Sequence, residues 1–333
     1  MASLRIGELE GGGLVLGYRC PSRCRHCLYA CGPHRTDGLA ADEPSFEQVL
    51  DLLAARGPRA RYHIGGGEPF LDLGLLRRSI AGLRRRRLAL DYVETNAAWV
   101  RDGEHARATL ADLAELGLRQ VLVSLSPFHA EFVPLQKTEA LIAAAEAVLP
   151  EGAFVWISAF ASDLAEQPRD QKLDLDAFLA ERGDGWARSA GRRYSLVPAG
   201  RAGRYFAAHG ALVPWEEAAA SAPCRHRLAD ATHFHVDLAG GYVPGLCAGL
   251  TLPLTEVPGE VDLGRYPVLR ALVEGGPAAL VPLARGAGFA PLASYSGPCD
   301  LCTHARSALF AQGHPELGPE GFYDPRSLPA FTH

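Results

Sequence analysis

Eight cysteines in a chain of 333 residues are the side chains best suited to chemistry, and their spacing divides them into sets. Cys20, Cys24 and Cys27 stand as Cys-x3-Cys-x2-Cys in the run RCPSRCRHC, while Cys224, Cys247, Cys299 and Cys302 are spread over the last third and end in a Cys-x2-Cys pair. Where thiols are kept reduced, such sets point to metal or redox chemistry rather than to disulfides. Three thiolates can hold three irons of a cubane and leave the fourth open to a ligand, as a catalytic zinc keeps one position open. The same triad can instead close around one zinc if Cys31 or His26 supplies a fourth ligand.

The elements that must position these residues are legible as an alternation. Short apolar runs at 13–18, 61–65, 89–94, 120–124, 153–160 and 193–197 alternate with helical patterns at 46–56, 73–86, 105–115, 137–148 and 173–181. This predicts βα units around a parallel sheet, with Ser45 and Gln48 as a capping box for the first helix. The triad then follows the first strand directly, at the sheet edge where α/β proteins place their chemistry. Past residue 205 the alternation gives way to Gly, Pro and scattered Cys, with a hairpin at 233–238 and 242–244 and a helix after Cys302. Two parts are expected, 1–205 and 206–333.

Polar residues cluster at the predicted strand ends. In His63-Ile64-Gly65-Gly66-Gly67-Glu68-Pro69, the glycines would let a ligand approach the backbone and Glu68 offers an acceptor for a cationic amine. Asn96 ends the third strand, and Ser124 and Ser126 the fourth; each can contact a ligand or cap a helix. His129, three residues beyond Ser126, can contact substrate or cap as well.

With the triad in register with Gly66-Gly67-Glu68-Pro69, Asn96 and Ser124, the chain resembles the radical S-adenosylmethionine (SAM) superfamily. The resemblance implies a partial (β/α)6 TIM-type barrel whose Cys20, Cys24 and Cys27 hold a SAM-binding [4Fe-4S] cluster. It implies that Gly66, Gly67 and Glu68 bind the SAM amino group, that Asn96 and Ser124 contact ribose or carboxylate with Ser126 as a further cofactor-binding candidate, and that His26 packs near adenine. Many relatives carry an Asp near Ser126; here Ser126-Pro127-Phe128-His129 stands instead.

The order of Cys224, Cys247, Cys299 and Cys302 resembles the Twitch extension, a shortened SPASM domain, which implies a small C-terminal α+β iron-sulfur domain holding one auxiliary [4Fe-4S] cluster. A four-cysteine zinc ribbon would want two Cys-x2-Cys pairs, and one is present. The segment Gly200-Arg201-Ala202 is similar to one common in these proteins; Arg201 would pair with a carboxylate of SAM or substrate, or brace the junction. Cys31 is left over, either a buried thiol or a hydrogen-atom or proton donor near the open iron.

The activity so implied is that of a radical SAM oxidoreductase. SAM is cleaved reductively to a 5′-deoxyadenosyl radical that takes a hydrogen atom from a small molecule, with net oxidation through the auxiliary cluster and a flavodoxin- or ferredoxin-type electron donor. Two alternatives stand: a maturase that crosslinks or epimerises a ribosomally made peptide, and a non-catalytic electron carrier or zinc scaffold. A net charge of -5 gives no basic field for nucleic acid. No apolar stretch is long enough for a bilayer and the first residues lack a signal-peptide pattern, so no membrane partner and a cytoplasmic location are expected.

Overall fold

The computed structural model describes residues 2–193, 196–210 and 212–331. Its strands are β1 (Ser3–Ile6), β2 (Gly11–Val15), β3 (Arg61–Gly65), β4 (Ala89–Thr95), β5 (Val121–Ser124), β6 (Ala153–Trp156), β7 (Phe234–Asp237), β8 (Gly241–Val243) and β9 (Gly259–Asp262), with shorter pairs besides. The main sheet runs Leu252–Pro253, β8, β7, β2, β3, β4, β5, β6 and stays open. From β7 to β6 all neighbours are parallel, whereas β8 returns antiparallel to β7. Leu14, Ile64, Val93, Val121 and Val123 are fully buried in this sheet, as strands covered on both faces require.

The principal helices are α1 (Glu43–Arg56), α2 (Leu73–Arg85), α3 (Gly103–Leu116), α4 (Leu135–Val148), α5 (Leu175–Arg193), α6 (Arg201–His209), α7 (Pro267–Arg285) and α8 (Pro298–Phe310). Asp42, Asp72 and Asp102 cap the first three, each side chain accepting from a backbone N–H of the first turn. The cap of α1 is therefore Asp42 rather than Ser45, whose own N–H donates to it at 2.9 Å. Gly117 ends α3 in the left-handed region.

Three further expectations change. The sixth parallel strand is β7, not 193–197: Arg193 ends α5, Tyr194 and Ser195 lie outside the described residues, and Leu196 and Val197 are not in a strand. The predicted hairpin does form, as β7 and β8, but it joins the main sheet by pairing β7 with β2. The second part of the chain thus completes the sheet of the first, and β1 ties back by pairing antiparallel with β9. The helix expected after Cys302 begins earlier, so Cys299 and Cys302 both lie on α8, one turn apart.

Candidate active site

Residues 16–42, between β2 and α1, contain no regular helix or strand, and buried arginines satisfy their backbone. Arg35 lies within the loop, donating from Nη1 to the carbonyls of Tyr29 and Ala30 at 3.1 and 3.3 Å and pairing with Asp37 at 2.7 Å. Its guanidinium sits over the Tyr18 ring at 4.6 Å. Arg201, at the start of α6, clamps the loop from outside: Nε donates to Cys24 O at 3.0 Å, Nη2 to Cys31 O at 2.6 Å, and Nη1 to Ser327 O at 3.2 Å.

This clamped loop forms one wall of a cavity of about 380 Å³, into which Cys20, Cys24, Cys27 and Cys31 all face. The opposite wall is made by strand ends, contributing Gly66, Gly67, Glu94, Asn96 and Ser124, with His26, His129, Trp156 and Arg201 also on the lining. The glycines permit the approach. A Cβ on Gly67 would collide with the Arg19 carbonyl, and Gly66 adopts φ 128° against Gly17 O.

The sulfurs differ in character. Cys31 donates its thiol toward Cys27, which together with nearby Arg201 favours ionisation of Cys27. Burial, and then Glu68, push Cys20 up to about 12, and burial holds Cys24 well up. Asn96 donates from Nδ2 to Cys20 Sγ at 3.3 Å. A single zinc would draw thiolate sulfurs to about 3.8 Å of one another at its usual 2.3 Å bond length. Elsewhere, the ligand atoms of His63, His233 and His235 all lie within 4.8 Å of one another.

Cys224, Cys247, Cys299 and Cys302 come together between α7, α8 and the segment after β8; burial, and then Cys247 and Cys299, push Cys224 up to about 11, and burial pushes Cys302 up to about 12. Arg306 is buried beside them, donating to Ala248 O at 2.9 Å, and Arg227 lies 4.0 Å from Cys299 Sγ. These cations act to lower the pKa values of Cys224 and Cys299, and Arg306 that of Cys302, against the larger effect of burial.

Several residues expected on a ligand are occupied otherwise. Glu68 does not line the cavity: its carboxylate accepts from Phe70 N at 3.2 Å, Thr95 Oγ1 at 2.9 Å and Asn96 N at 2.8 Å, so it fixes the strand end that carries Asn96. Ser126 is fully buried, capping Pro127–Ala130 and holding His129 Nδ1 at 2.7 Å. Arg201 gives Nε and both terminal nitrogens to carbonyls while also lining the cavity. His26 stacks on Phe128 at 4.6 Å and meets His129 edge-on at 4.8 Å, with its Nδ1 unpartnered. Burial keeps both rings neutral, His129 at about 4.

Other residues facing the cavity carried no expectation. Glu94 lies on it, its carboxyl pushed up to about 7 by burial and then by Glu68. Tyr29, His233 and His235 do too. The His233-x-His235 spacing, which puts two rings on one face of a strand, was the signal available for them.

No protein-family model matches the chain, and no curated protein matches it. Solved structures do. The chain is similar to HemN from Escherichia coli, a coproporphyrinogen III oxidase and radical SAM enzyme, at 16% identity and TM-score 0.34, over 45% of this chain and 37% of that one. It is similar to BtrN in complex with AdoMet and 2-DOIA, at 13% identity and TM-score 0.41, over 90% of this chain and 93% of that one. It is similar to Streptococcus suis SuiB bound to S-adenosylmethionine, at 12% identity and TM-score 0.34, over 95% of this chain and 77% of that one.

Proposed function

We propose that the chain is a radical SAM enzyme that oxidises a small molecule, with Cys20, Cys24 and Cys27 as ligands of its SAM-binding [4Fe-4S] cluster. The supporting observation is one cavity onto which all three cysteines open, facing Gly66, Gly67, Asn96 and Ser124 at the parallel strand ends. When bound there, the cluster and SAM supply a reductive one-electron cleavage and abstraction of a hydrogen atom from substrate, chemistry that belongs to the cofactors.

The chain's own residues do the rest. Arg201 and Arg35 hold the cysteine loop, so the ligand sulfurs keep their places when water is displaced. Asn96 holds Cys20 Sγ, and Glu68 holds Asn96. The glycine strand end leaves backbone open to the amino acid part of SAM, and the His26–Phe128 stack gives a flat apolar surface for adenine. Cys31 keeps its proton on Sγ, 3.8 Å from Gly66 O and on the cavity wall. Cys224, Cys247, Cys299 and Cys302 would hold a second [4Fe-4S] cluster as electron acceptor, fed overall by a flavodoxin- or ferredoxin-type donor. The division near residue 205 then separates two cluster-binding parts that share one sheet.

Anaerobic reconstitution tests this. About eight irons per chain are expected from two cubanes. Cys24→Ala should abolish SAM cleavage while about four irons remain; retained cleavage, or zinc in place of iron, overturns the assignment. SAM consumption that depends on a peptide and never on polyols would replace the small-molecule substrate with a peptide.

A further inference from the structure

The cavity continues beneath the cysteine loop into a second group of side chains that the cluster chemistry does not use. In register across the sheet, His63 on β3 and His235 on β7 both lie opposite Gly13 on the central strand β2. A Cβ at Gly13 would lie 2.6 Å from His63 Nε2 and 2.7 Å from His235 Nε2, so glycine at this position lets two imidazoles from strands that are not neighbours meet over it. They do meet, Nε2 to Nε2 at 3.3 Å. His233, two residues before His235 and so on the same face, stacks on His63 at 5.3 Å.

We propose that His63, His233 and His235 form a binding site for one divalent first-row transition-metal ion, with an open position toward the cavity. Three observations carry this. The ligand atoms of all three lie within 4.8 Å of one another. Two imidazole nitrogens on a tetrahedral ion at about 2.0–2.1 Å stand about 3.3–3.4 Å apart, which is the His63–His235 separation. His235 also has an outer partner, since its Nδ1 lies 3.0 Å from Tyr29 Oη. Donation from that Nδ1–H to Tyr29 leaves the Nε2 lone pair for a metal, as ligating histidines usually arrange.

The surroundings agree. His63 is held against Tyr92, stacked at 4.9 Å, and Glu94 Oε1 lies 3.5 Å from its Nε2. Glu94 has its own glycine: a Cβ on Gly65 would lie 2.7 Å from Glu94 Oε2. Imidazole donors suit zinc, copper, iron or nickel rather than magnesium or calcium. Because His233, His235 and Glu94 line the same cavity as the cysteines, the ion would present its open position to an oxygen or nitrogen donor of whatever occupies that space. The site does not depend on what the cysteines hold.

The test uses the full chain, anaerobically reconstituted, with Zn²⁺ alone as probe and iron measured on the same samples. Wild type should take up one zinc per chain more than His233→Ala, whose exposed ring can be removed with little risk to folding. In the variant, zinc affinity at this site should fall by at least about 100-fold with iron content unchanged. Tyr29→Phe, which keeps all three ligands, should weaken zinc by about 10-fold, the lower end of what loss of an outer partner costs. Equal zinc uptake by wild type and His233→Ala overturns the proposal and leaves the three rings as a stacked, hydrogen-bonded group. Iron content reports separately on the cysteines, so failure of one reading is distinguishable from failure of the other.

Discussion

Glu68 accepts three hydrogen bonds from within the fold, yet burial still raises its carboxyl to about 7. A polar residue at a strand end can point to a ligand or to the backbone, and its type does not decide which. The direction is set by the register, and β3 and β4 shift register between Tyr62 and Ile64. The cysteine triad was legible because its spacing alone implies convergence; the contacts of Glu68 and Arg201 were not, because they reach neighbours distant in sequence, whereas the cap that Ser126 makes with His129 is local. His129 gives a test at this scale. Burial lowers its pKa from 6.5 to about 4, so between those values the unfolded chain takes a proton that the native ring refuses. Its contribution is present above pH 6.5 and lost as pH falls toward 4. His129→Gln should therefore flatten the rise of Tm with pH across this window relative to wild type. Parallel Tm curves for the two chains would mean that the native ring protonates freely.

The strands β2 to β6 and the helices α1 to α5 were legible from apolar runs and periodicity because each pattern is local, whereas β1, β9, α6 and α7 were not. The partner of β7 was not. Its residues read as half of a hairpin, which they are, but the parallel pairing of β7 with β2 joins segments more than two hundred residues apart, and hydrophobic pattern says nothing about which edge a strand will find. Glycine carries more information at this scale than its frequency implies. Gly12 and Gly13 on β2 face Phe234 and His235 on β7, and added Cβ atoms would strike both rings. The same logic holds at Gly67, whose missing side chain lets the segment after β3 pass against Arg19 O while Glu68 N donates to that carbonyl at 2.9 Å. Gly67→Ala should cost about 1–3 kcal/mol, since backbone rather than a flexible side chain must move. Chemical denaturation of the chain without cofactors measures it. A loss below about 0.5 kcal/mol, the range of ordinary surface changes, would show that the loop adapts without strain.

At the scale of the molecule, α6 connects the two cysteine sets. Arg201 and Arg204 stand one turn apart on it. Arg201 reaches the first loop through Cys24 O and Cys31 O, and Arg204 forms a buried pair with Asp300, the residue after Cys299. Asp300 is fully buried and also accepts from Ser296 N at 3.1 Å, so its charge depends on Arg204 for compensation. A buried pair of this kind adds little net stability, because desolvation offsets the attraction, but it is costly to break from one side. Arg204→Ala should therefore destabilise the chain by about 3–5 kcal/mol, while Arg204→Met with Asp300→Leu should recover most of that loss. Urea unfolding of wild type, the single variant and the double variant separates the cases. Recovery would mean that the loss in the single variant is the cost of leaving the Asp300 carboxylate buried without its counter-charge. A double variant as unstable as the single one would mean that Arg204 acts through its packing on Phe331 and Tyr295, 4.9 and 5.7 Å from its guanidinium, and not through its charge.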